Sequence, residues 1–208
     1  MTDQLAQATS QQLATTDSLQ VQQKKEWGEI LTGWETRNRY EVTDASGQTL
    51  FFAGEVDGSW FLRAFLKASR PFTMDVKNLQ GMTVMTVKRP WTWFFSRAEI
   101  FDGNGARIGA IQQRWAFFQR RYTLVDARGN EVGELHGPFF KPWTFKIRVN
   151  GVECGAIKKQ WSGLLKEAFS DADNFGVEFG PQVAPDLRTI CLGATFLIDF
   201  VHFENKSN

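Results

Sequence analysis

One short phrase, an alternating strand running into a polar turn that carries glycine, returns along the chain about every two dozen residues. It reads YEVTDASG from Tyr40, MDVKNLQG from Met74, AEIFDGNG from Ala98 and YTLVDARG from Tyr122, with a shortened copy, FKIRVNG, from Phe145. Asp or Asn with Gly suits such turns, because the first tolerates left-handed backbone angles and the second adopts them without a Cβ clash. Each copy therefore predicts a β-hairpin. A meander of roughly ten or more strands must close or stack to hide its edges. With no long helical pattern before the C-terminus, closure into an antiparallel barrel is the favoured architecture, and a two-sheet sandwich is the alternative.

The pattern breaks at LRTICLGATFLIDFVHF, Leu187 to Phe203, which is apolar on nearly every side but carries Arg188 and Asp199. Its 17 residues sit at the lower limit for crossing a bilayer. A carboxylate near the membrane interior costs about 2.5–3.5 kcal/mol on insertion scales. A helix hydrophobic all round also fits the core of a protein, and a sheet of about a dozen strands is wide enough to enclose one. The segment at about 187–203 is therefore read as a helix inside the barrel in preference to a membrane span.

Residues 1–23, MTDQLAQATSQQLATTDSLQVQQ, hold no Lys or Arg and few large apolar side chains. They are expected to form a disordered polar tail ahead of a single domain at 24–208, and they show no export signal, which places the chain in the cytoplasm. Lys plus Arg number 24 against 23 Asp plus Glu, so the net charge of +1 gives no global field to attract nucleic acid. Cys154 and Cys191 are too far apart for a CxxC motif and read as buried thiols. His136 and His202, the two histidines, give a metal site or a catalytic triad little to work with. The carboxylates show no catalytic spacing either, so the chain is read as a non-enzyme.

The stretch from Lys158, KKQWSGLLKEAFSDADNFGVEF, followed by LGATFLIDFVHFE, resembles the C-terminal signature of phospholipid scramblases. Upstream, NRYEVTDASGQTLFFAGE, SRPF, KRP and GPFF follow that family's order of blocks, so the resemblance covers Asn38 to Glu204. It implies a Tubby-like barrel of twelve strands around a central C-terminal helix, peripheral association with the cytoplasmic side of a membrane, and calcium-stimulated, non-selective movement of phospholipids between leaflets. The long Pro-rich N-terminal arm of many animal members is not matched here.

Loops that carry cysteine clusters for palmitoylation in many animal relatives carry aromatic and basic residues in this chain. Trp60, Phe61, Phe65 and Lys67 follow the first hairpin; Trp91, Trp93, Phe94, Phe95 and Arg97 follow the second. Trp115, Phe117 and Phe118 then precede Arg120 and Arg121, and Phe139, Phe140 and Trp143 surround Lys141. In an up-and-down barrel these connections emerge at one end, giving an apolar rim edged with cations that suits a phospholipid membrane, anionic lipids above all. The alternative is that the aromatic rings plug the barrel end, and residues 59–67 equally fit a short amphipathic helix capping the core.

Asp171, Ala172, Asp173, Asn174, Phe175 and Gly176 resemble the opening of a calcium loop, with carboxylates first and third and glycine sixth. Phe175 and Gln182 stand where further ligands belong, so the expected site is a sparse one of Asp171, Asp173 and Glu178. The alternative is a turn that caps the WSGLLKEAF segment. Two functions remain: a lipid-translocating scramblase, and a non-catalytic module of the Tubby kind that reads membrane or phosphoinositide headgroups. Translocation needs a polar route that one helix does not supply. Oligomerisation, exposure of the helix or thinning of the bilayer would each provide one, and the sequence favours none of them.

Overall fold

Four of the repeated phrases fold by one device. Asp44, Asn78, Asp102 and Asp126 each open a turn, and the side-chain Oδ1 of each accepts the backbone N–H groups two and four residues on. The glycine three residues on donates its N–H to the carbonyl of the same Asp or Asn at 3.0 to 3.1 Å. These glycines, Gly47, Gly81, Gly105 and Gly129, hold φ between 77° and 90°. The left-handed burden thus falls on the glycine, and the Asp or Asn acts as a cap. Only the fifth turn uses left-handed angles at an Asn and its following Gly, with φ of 50° at Asn150 and 79° at Gly151.

The computed structural model describes residues 12–13, 15–24, 34, 36–57, 70–160 and 174–203. The five turns join β2 (Arg37–Thr43) to β3 (Thr49–Asp57), β4 (Phe72–Lys77) to β5 (Thr83–Arg89), β6 (Arg97–Asp102) to β7 (Arg107–Arg114), β8 (Gln119–Asp126) to β9 (Glu131–Pro138), and β10 (Thr144–Val149) to β11 (Val152–Gln160). With β1 (Ser18–Lys24) and β12 (Asn174–Phe179), they form a closed antiparallel barrel in which each strand pairs with its chain neighbours and β1 pairs with β12. The sandwich alternative is thereby excluded.

The N-terminal boundary differs from the composition-based expectation, because Ser18 to Gln23 lie in β1 and not in a disordered tail. Gln22 is paired with Glu41 on one side and Asn174 on the other. Leu19 and Val21 face inward and are fully buried. A polar segment that receives ladder bonds from two neighbours needs only a few apolar side chains to be held, which composition averaged over 23 residues hides.

The helix α1 (Pro185–His202) fills the barrel, with every residue from Leu187 to Phe200 buried. Close approach is secured by glycine on both sides of the contact. A Cβ on Gly109 of β7 would stand 2.5 Å from Cδ1 of Ile190, and one on Gly193 of α1 would collide with Ile100 of β6. Arg188 and Asp199 are both buried and hydrogen-bonded. Arg188 donates to the carbonyls of Val183, Leu13 and Thr16, and Asp199 accepts from the Tyr40 hydroxyl at 2.5 Å. Cys154 and Cys191 are buried free thiols. Burial pushes the Cys191 thiol well above its usual range.

Candidate functional site

Antiparallel strands run alternately up and down, so the Asp/Asn turns gather at one pole and the connections after β5, β7 and β9 at the other. The second pole is aromatic. Trp91, Trp93, Phe94 and Phe95 lie between β5 and β6, Trp115, Phe117 and Phe118 between β7 and β8, and Phe139, Phe140 and Trp143 between β9 and β10. All ten are exposed, Phe94 to 88% and Phe140 to 90%. They do not plug the barrel mouth. That task falls to the buried rings Phe72, Phe200 and Phe203, with Phe72 stacked on Phe200 at 4.1 Å.

The bases of these loops are anchored while their rings stand out. Ser96 exchanges two bonds with Gln113, and buried Arg89 donates to the Ser96 hydroxyl at 2.9 Å and to the Arg70 carbonyl at 3.0 Å. The β9–β10 loop is held by Lys141 N–H on the Pro138 carbonyl, Thr144 N–H on the Lys141 carbonyl and Lys159 N–H on the Trp143 carbonyl. Rings pair edge to face within each loop: Trp91 with Trp93 at 4.7 Å, Trp115 with Phe117 at 5.3 Å, and Phe139 with Phe140 at 5.7 Å. Apolar groups held in water this way need little further ordering before burial.

Cations flank the rings. Arg97 at the start of β6 and Lys141 between Phe140 and Trp143 are exposed, and among the described residues the three loops hold no carboxylate. Trp60, Phe61, Phe65 and Lys67 lie outside the described residues. Beneath the loops a buried ion pair joins Arg70 to Glu55, and Asn38 also donates to Glu55 at 2.9 Å. The Arg70 guanidinium lies over the Phe200 ring at 4.5 Å. The buried pair thus packs against the C-terminal end of α1 through the Phe200 ring.

A sequence model of the family described as Scramblase matches residues 2–205. The chain belongs to the phospholipid scramblase family. It is 36% identical to mouse phospholipid scramblase 1, with 94% of this chain and 64% of that protein aligned. It is 33% identical to human phospholipid scramblase 1, covering 94% and 66%, and 33% identical to bovine phospholipid scramblase 2, covering 92% and 70%. The chain thus spans a little under two thirds of the length of the scramblase 1 proteins it matches. A crystal structure of an Arabidopsis thaliana protein superimposes with a TM-score of 0.53 at 11% identity, covering 90% of this chain and 95% of that one. At that identity the likeness concerns the fold, which is Tubby-like in this scramblase-family chain.

Of the expected metal ligands, Asp171 and Asp173 lie outside the described residues. Glu178 is exposed on the outer face of β12, and both its oxygens accept from Lys158 Nζ, at 2.9 and 3.1 Å. The described residues contain no cluster of three or more His, Cys, Asp or Glu able to hold a metal ion. Among them no helix is long and apolar enough to cross a membrane.

One member of the site escaped the sequence reading, which placed Arg120 on the rim beside Arg121. Arg121 turns outward to pair with Glu134 and His136 joins the same carboxylate, whereas Arg120 turns inward onto the Phe145 ring. The signal was the alternation RRYTLV, which puts Arg120 in register with the inward Tyr122 and Leu124.

Proposed function

We propose that this chain docks on phospholipid membranes through its aromatic pole and there takes part in moving phospholipids between leaflets. The observation that carries the reading is the gathering of ten exposed aromatic rings, edged by Arg97 and Lys141, at one pole of a family scramblase barrel. A fully buried aromatic side chain gains about 1.5–3 kcal/mol over an exposed one, so partial insertion of a few rings gives attachment of the order of a lipid anchor. Trp91, Trp93, Trp115 and Trp143 suit the interface, with ring in acyl chains and N–H among headgroups. The pole would meet the cytoplasmic leaflet, where anionic lipids make cations worth about 1 kcal/mol each.

Fluorescent-lipid liposomes with external dithionite test the transport part. Loss of the protected inner-leaflet signal with reconstituted protein is expected, and binding without that loss rejects transport by this chain. A second reading, a membrane-binding module without transport, is favoured by the burial of α1 from Leu187 to Phe200, which fills the barrel with apolar side chains and offers no polar route across hydrocarbon there.

Calcium stimulation enters through Asp171 and Asp173. Glu178 fits such a site poorly, since calcium there would have to displace Lys158 from both carboxylate oxygens. Calorimetry on the parent and on Asp171→Ala/Asp173→Ala is expected to show weak heats abolished by the double substitution; a parent without heat removes calcium from the proposal.

A further inference from the structure

The floor of the aromatic pole carries basic groups that docking by the rings does not require. The Arg120 guanidinium lies 4.5 Å from the centre of the Phe145 ring, and its Nη2 donates to the Lys141 carbonyl at 3.3 Å. Gly137 lies opposite Arg120 in the ladder. A Cβ at Gly137 would come within 2.8 Å of the Phe145 ring and 3.3 Å of Arg120 Nε, so the seat exists because residue 137 is glycine. Phe145 lies 5.6 Å from the His202 ring, and Phe203 beside it carries Lys159 Nζ at 4.1 Å. The cations are thus laid on an aromatic floor at the end of α1.

Arg120 is half-buried, and desolvation pulls its guanidinium below the usual range. Its contacts there are the Lys141 carbonyl and the Phe145 ring, and no carboxylate among the described residues pairs with it. Tyr122 is itself fully buried, and its hydroxyl is pushed up by that burial and stays neutral. A partly desolvated guanidinium with no acid beside it is unfavourable until an anion joins it. Its planar fork matches phosphate oxygens two at a time, and an aromatic floor holds the fork in place.

We infer that this floor binds the phosphate group of one anionic membrane phospholipid, gripped by Arg120 with Lys141 on the adjoining loop as the neighbouring cation. The inference rests on the docking proposal, since a bilayer phosphate reaches the floor only where this pole meets the membrane. Phosphatidic acid, whose phosphate has no bulky substituent, is the simplest ligand of the class.

The test is co-sedimentation of the full chain with neutral phosphatidylcholine vesicles and with the same vesicles doped with phosphatidic acid. Arg120→Gln is expected to weaken binding to doped vesicles about fivefold and to leave neutral binding unchanged, while Arg120→Lys recovers only part of the difference. Circular dichroism establishes that each variant is folded. If Arg120→Gln melts early, Arg120→Lys, which keeps the charge and loses the planar fork, is read in its place, with a smaller loss confined to doped vesicles expected. Folded variants that bind doped vesicles as the parent does overturn the inference. So does inorganic phosphate that raises the parent's melting temperature while doped vesicles bind no better than neutral ones, because the cluster then takes free phosphate. Failure of the docking proposal looks different: Phe94→Ser/Phe140→Ser then retains binding to both kinds of vesicle.

Discussion

Tyr40 and Asp199 stand 159 residues apart in the chain and 2.5 Å apart in the barrel. A hydrogen bond to a buried carboxylate contributes about 1.5–3 kcal/mol. Tyr40→Phe should therefore lower the free energy of unfolding by about that amount, read from urea denaturation, and a change below half a kcal/mol would show that Asp199 does not depend on this hydroxyl. Gly193→Ala should be destabilising by about 1–3 kcal/mol in the same measurement, because the added methyl meets Ile100 in a closed wall. At this scale the sequence was partly legible. That Asp199 sits on a helix unsuited to hydrocarbon could be read from its neighbours, but its partner could not, since nothing local ties Tyr40 to it. The aromatic runs were legible as candidates only, because WTWFF reads the same whether its rings fill a mouth or stand beyond it.

The strand β1 seals the barrel with two inward apolar side chains, Leu19 and Val21, and leaves β2 and β12 without free edges. Removing residues 1–24 should expose both edges and shift the protein toward larger species on size exclusion than the parent; elution and folding like the parent's would show that the seam holds without β1. The turn elements make a separate prediction in pH. Asp44 is held below the usual carboxylate range chiefly by the Ser46 hydroxyl, and Asp126 chiefly by the Asn130 amide. A carboxylate lowered on folding adds stability above its unfolded pKa of about 3.9, and that contribution is lost as pH falls through the lower folded value. Asp126→Asn should accordingly flatten the acid arm of the stability curve, and an unchanged acid arm would contradict this. Four hairpins were legible because Asp or Asn is followed by Gly three residues on, and the fifth because Asn150 stands directly before Gly151. The first strand was not, because it is ordered between β2, which follows it, and β12, which lies about 150 positions away.

Across the whole molecule, a net charge of +1 conceals two unlike ends. Aspartates Asp44, Asp102 and Asp126 crowd the turn pole, while Arg97, Arg120 and Lys141 mark the aromatic one. Docking through the latter predicts that Trp93→Ser/Phe94→Ser/Phe140→Ser loses most vesicle co-sedimentation with its melting temperature kept, and that added salt weakens the parent on anionic vesicles and hardly on neutral ones. Retained binding by the folded triple variant would remove the aromatic pole from the account. Closure, strand count and the central helix followed from pattern and family likeness together. Net charge alone misled, since it averages over the two ends that strand direction separates.

The chain enters β1 at the turn pole and leaves α1 at the aromatic pole. If the aromatic pole docks as proposed, the start of β1 faces away from the bilayer, with tilted strands of roughly 20 Å between it and the headgroups. The cylinder is a spacer of fixed height, and a fluorophore placed at either end would report which way up it stands.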